Sequence, residues 1–208
     1  MSERWSEVEE WLSIVIRQMV LYSLPVLVSL TLVTMLEARW TRIQIPHPFY
    51  AIAWRGAWVP LLASLFFHRG VIIALPNYLQ FGVKSAALRC LVHLILFGVG
   101  FLLYSWSLSY QAPSGLPPLH HWWAKVLMFF NLCMAALHLL PLPLLLLGEC
   151  LEKAAGIRFF QKLALKRNHA WLLIAAVAAS PLLDMLLGAY LVYPVYEEVS
   201  SYATYLWR

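Results

Sequence analysis

Few side chains in this sequence can do chemistry, and most of those lie where water is scarce. His93 and His138 sit in separate apolar runs, LVHLILFGVGF and NLCMAALHLLPLPLLLLGEC. Brought together from two helices, such imidazoles can ligate a haem iron or a chlorophyll-type pigment, or join Trp and Tyr side chains around a quinone. They can equally be neutral rings that each give one hydrogen bond to a neighbouring helix. Asp184, the sole aspartate, lies in a third apolar run. An acid there needs a partner, for which Arg89 or a Tyr hydroxyl is available. Ionisable groups inside a membrane are costly to place and mark a functional site by default, so each of these carries both readings.

No recognisable catalytic constellation accompanies them. The sequence contains no H-E-x-x-H, no G-x-S-x-G elbow, no C-x-x-C and no glycine-rich phosphate loop. His120 and His121 are adjacent in a loop, and neighbouring residues do not face the same way on a regular element. Cys90, Cys133 and Cys150 lie in or at the edge of apolar segments and read as buried free thiols.

Composition says what surrounds these residues. Of 208 residues, 62% are hydrophobic and 12% charged, against about 25% charged in a soluble domain. With a mean hydropathy of +0.72, the solvent is mostly lipid, and one membrane domain over 1–208 fits the length. Ten Trp and ten Tyr suit the water–bilayer boundary. The net charge of +5 is spread over short loops, as orientation in a membrane requires, and is no signal for nucleic acid. The acidic start MSERWSEVEEW lacks the basic region and small-residue cleavage site of a signal peptide, so the first apolar run is expected to remain as an anchor.

The pattern along the chain predicts an all-α polytopic integral membrane protein with four to five transmembrane helices. Residues 1–16 read as an amphipathic helix lying on the membrane surface, through Trp5, Val8, Leu12 and Val15. Spans are expected at 18–36, with a kink at Pro25, and at 86–108, 126–147 and 170–193, each near the ~20 residues that cross about 30 Å of hydrocarbon. Between the first two, 41–81 reads as an irregular interfacial module. RIQIPHPF alternates like a short strand, and 57–67 is a short re-entrant or tilted piece. Its backbone must be shielded by protein, because lipid cannot satisfy it. Segment 149–167 is basic and amphipathic, and the positive-inside rule puts it in the cytoplasm.

The stretch NLCMAALHLLPLP resembles the motif of site-2-protease-type intramembrane zinc metalloproteases, roughly N-x6-N-L-L-P-[IV]-P-P-L-D-G-G. Asn131 matches its first Asn, His138 replaces the second, and Leu139, Leu140, Pro141, Leu142 and Pro143 match in kind, with Gly148 on the final Gly. RIQIPHPFYAIAWRGAWVPLL resembles the family's R-L-T-x-N-P, connector and G-x-x-x-x-P-L-L run, and NHAWLLI the start of its helix after the metal motif. The resemblance implies a site-2-protease-like core over roughly 40–195. Its chemistry does not follow. Such an enzyme needs zinc, a bound water and a glutamate, yet the first span holds no His and no acid, and Leu146 stands at the aspartate ligand.

The expected function is therefore that of a pseudoprotease with no catalytic and no metal-ligating residue. It would be an accessory or regulatory subunit in a bacterial inner membrane that packs against the transmembrane helices of a partner. One alternative is a haem-, pigment- or quinone-binding subunit of an electron-transfer complex, through His93 and His138. Another is a hydrolase with an atypical metal site.

Overall fold

A computed structural model describes residues 2–77, 80–110, 117–142, 144–155 and 170–206. Among them the chain forms helices and no strand. The first, α1, runs unbroken from Ser2 to Trp40 over 39 residues and through Pro25. Residues 1–16 are thus not a separate surface helix: nothing in WSEVEEWLSIVIRQ stops the helix, so the amphipathic start and the span share one rod. Ser29 and Thr34 donate to the carbonyls one turn earlier, Pro25 and Leu30, each at 2.7 Å. These bonds hide two hydroxyls that lipid could not satisfy. The end of α1 closes with a Schellman turn, in which Ile43 N–H bonds Ala38 O at 2.9 Å and Arg42 N–H bonds Arg39 O at 3.3 Å. The left-handed residue of that turn is Arg42, at φ 57°.

The expected strand at RIQIPHPF is absent. Pro46 and Pro48 remove two ladder donors, and the chain enters a single turn, α2 (Phe49–Ile52), then α3 (Arg55–Phe66). With 12 residues, α3 reaches about 18 Å at ~1.5 Å per residue, and it lies against α1. Trp11 meets Phe66 there, ring centroids 5.4 Å apart. Next comes a buried extended run, Val71–Leu75. The fold supplies partners for its backbone. Val71 N–H bonds Asp184 Oδ1 at 2.7 Å, Ala74 N–H bonds the Met134 sulfur at 3.5 Å, and Leu75 N–H bonds Gly56 O at 2.8 Å. Over the described residues of 41–81 the chain thus alternates short helices with stretches outside helices, and protein supplies the partners that lipid could not.

Helix α4 (Val83–Leu108) packs along α5 (Leu119–Leu137) and beside α1. Gly100 permits this, because a Cβ there would stand 2.6 Å from the Met128 backbone nitrogen. The span expected at 126–147 ends early, at Leu137. Pro141 brings no donor, Leu144 turns left-handed at φ 70°, and α6 starts only at Leu146 and runs to Ala155. Gly148 is needed here, since a Cβ would collide with the Leu142 carbonyl. Pro143, and the part of 149–167 beyond Ala155, lie outside the described residues.

The segment expected as one span at 170–193 is broken. α7 (Ala170–Ala179) ends at Ser180–Pro181, and the chain resumes as a π-helical turn, Asp184–Val192, that passes into α8 (Tyr193–Leu206). The two parts are bent by 72°. Arg69 Nε–H caps α7 by donating to Ala179 O at 2.8 Å. Gly188 makes room for the Tyr193 ring, which would lie 2.8 Å from a Cβ, so the widened turn and the ring fit together.

Two helices, Ser6–Trp40 and Val83–Leu108, are long and apolar enough to cross a membrane, and the bent pair raises the number to three. The protein is thus a helical integral membrane protein with two to three such elements among its described residues.

Candidate functional site

Three polar clusters tie elements of the bundle together, two of them buried and the third half-buried. The first joins α1, α4 and α5. Asn131 Nδ2 donates to Ser29 Oγ and to Leu127 O, both at 2.8 Å, and Asn131 Oδ1 lies 2.8 Å from His93 Nδ1. The amide nitrogen is occupied as a donor, so its oxygen accepts and the His93 proton sits on Nδ1. His138 caps α5 and receives the Leu146 N–H on its own Nδ1 at 3.2 Å, so its proton sits on Nε2. The two ring centroids are 6.3 Å apart. The two rings thus lie close together in the interior, both at 1–2% exposure. A macrocycle or quinone head between them would have to part α4 from the α5–α6 break.

The second cluster joins the end of α1 to the starts of α4 and α6. The Arg89 guanidinium pairs with Glu37 and also donates to Gln80 O at 3.1 Å and to Leu144 O. Glu37 Oε1 accepts from Gln80 N–H at 3.1 Å. Glu149 accepts from Leu144 N–H at 3.2 Å and from Gly82 N–H at 2.8 Å. Arg89 is therefore not the partner of Asp184. That acid belongs to the third cluster, where Tyr193 Oη–H donates to Asp184 Oδ1 at 3.0 Å beside the Val71 N–H.

Asn131, His93 and His138 thus meet, Pro141 and Gly148 form the break next to them, and Asp184 stands apart. Glu37, Glu149 and Ser29 were not singled out as site residues. A signal for Glu37 existed: an acid ending one span and an arginine opening the next fall at the same depth when the two run antiparallel. Among the described residues, no three His, Cys, Asp or Glu side chains converge to hold a metal ion. What these clusters do is bind elements to one another.

No protein-family model, curated protein or solved structure matches the chain.

Apart from these clusters, the outstanding surface feature is a groove of about 670 Å³ between α1 and α2–α3. Met19, Leu24 and Leu30 form one wall, and Phe49, Trp58 and Leu61 the other. Its α1 wall covers 11 residue steps, about 16 Å or three helical turns. A large side chain occupies on the order of 100–200 Å³ at interior packing density, so the groove takes a few knobs from one helix face and not a whole helix.

Proposed function

We propose that this protein is a non-catalytic accessory subunit that receives a transmembrane helix of another membrane protein in the groove between α1 and α3. The groove is the observation that carries this reading. It is apolar, and it runs along a wall of α1 for the length of a helix–helix contact. The likeness of NLCMAALHLLPLP to the site-2-protease motif supports it. A core of that ancestry opens to admit a helix, and here the positions of zinc ligands and base are held by residues that cannot serve.

In this reading α5, wrapped by α1 and α4, is a further crossing despite His120, His121 and Lys125, and the chain has four to five spans. The basic stretch after α6 faces the cytoplasm of a bacterial cell. The experiment is a photo-crosslinker at Ser23, which is exposed at the groove, followed by mild-detergent purification. A specific crosslink to one integral membrane protein, abolished when Ala53→Trp fills the opposite wall of the groove, is expected. A monomer with no crosslinked or co-purifying partner would overturn the reading.

A further inference from the structure

We propose that the end of the bundle around Arg39, Trp40 and Arg42 is a binding surface for anionic phospholipid headgroups of the leaflet it meets. The first observation is a sorting of charge. Glu37 and Glu149 are buried and occupied in the Arg89 network. Arg39, Arg42, Lys84 and Lys153 are exposed. All four lie within a few residues of that network: Arg39 and Arg42 follow Glu37, Lys84 follows Gly82, and Lys153 stands one turn after Glu149. Glu37 and Glu149 are turned inward and the four bases outward; with Glu152 half-buried beside Lys153, the exposed charge at this end is mostly positive.

The second observation is backbone strain at Arg42. The C′ position of a Schellman turn suits glycine, and a residue with a Cβ is disfavoured in the left-handed region. Arg42 occupies it at φ 57°, so an arginine stands where the backbone favours glycine. The third is the flanking surface. Trp40 is 70% exposed, and Ile43, Ile45 and Tyr50 further along the chain are exposed as well. Aromatic rings next to arginines at the end of a membrane-crossing helix match the headgroup level, where apolar bodies sit above acyl chains and cations meet phosphates. Charge complementarity selects an anionic lipid over a zwitterionic one.

The test uses the full chain in detergent micelles, titrated with phosphatidylglycerol or phosphatidylcholine and read by native mass spectrometry. The wild type should bind phosphatidylglycerol in preference. Each arginine removed should weaken that binding about five-fold, and Arg39→Gln with Arg42→Gln together about twenty-five-fold, from roughly 1 kcal/mol per basic residue at an anionic surface. Arg42→Gly separates charge from fold. It should lower phosphatidylglycerol binding about five-fold while keeping or raising the thermal midpoint, since it relieves the strained turn. Equal binding of the two lipids, or variants that keep the preference, would overturn the proposal. So would displacement of phosphatidylglycerol by inorganic phosphate at matched ionic strength, which would put the affinity in a free phosphate site and not in a lipid surface.

Discussion

Arg89 and Glu37 form an ion pair in which both side chains are only 3% exposed. The pair clamps the end of α1 to the start of α4, and through Leu144 O and Gln80 O it also holds the two irregular segments between helices. Removing one member leaves the other buried and uncompensated. Glu37→Leu or Arg89→Leu alone should cost about 3–5 kcal/mol. The double variant should cost less than the sum of the two. Unfolding in rising SDS fractions, followed by circular dichroism, measures this, and strict additivity would show that the pair is not coupled.

Asn131 is the only side chain that links α1, α4 and α5 within the first cluster. Asn131→Ala strands the His93 Nδ1–H, while the Ser29 hydroxyl keeps Pro25 O as its acceptor, and should destabilise by about 1–3 kcal/mol. Ser29→Ala removes one acceptor and should cost about 0.5–1.5 kcal/mol, because the amide keeps Leu127 O. The same SDS unfolding ranks them, and a larger loss for Ser29→Ala would contradict the hub assigned to Asn131.

Asp184 stands in for a backbone acceptor. Asp184→Ala should release the Val71 amide, so that its hydrogen exchange rises well above that of Leu75, which keeps Gly56 O. Tyr193→Phe leaves the Val71 bond intact and should change that exchange little. Similar protection of Val71 in wild type and Asp184→Ala would show that the carboxylate does not hold the run.

Glycines at 148 and 98 should respond in opposite ways. A Cβ on Gly148 meets the Leu142 carbonyl, whereas one on Gly98 meets nothing within 4 Å. Gly148→Ala should therefore lower the thermal midpoint in detergent. Gly98→Ala should be neutral or raise stability by up to about 1 kcal/mol through helix propensity.

The non-catalytic reading expects a colourless protein without stoichiometric zinc, iron or manganese and without extractable quinone. An absorption spectrum and elemental analysis after mild purification check this. A Soret band lost in His93→Ala and His138→Ala would instead support the cofactor-binding alternative.

Membrane class and the helix around 86–108 were legible, because apolar run length reports directly on lipid. That His93 and His138 are neighbours was one possibility their separate apolar runs left open, and only the packing of the helices decides it. Breaks at Leu137 and Ala179 were not legible. A hydropathy run does not register where backbone bonds stop, and the leucines after Pro141 are as apolar outside a helix as inside one. The continuity of α1 from its amphipathic start into the span was hidden for a related reason, since a change from polar to apolar composition does not mark where helical backbone bonds stop. The Glu37–Arg89–Glu149 network needed three elements at one depth, which only tertiary packing fixes.

The extended run at Val71–Leu75 has a consequence for how the chain is made. Its partner carboxylate, Asp184, is 113 residues further on, and Arg69 just before the run waits 110 residues for the carbonyl it caps. A nascent chain leaving the translocon must therefore hold this segment in water or against a chaperone until the last helices emerge. Synthesis stalled short of residue 184 would yield an unfinished core for quality-control proteases to clear, so the C-terminal third completes the module that was translated first.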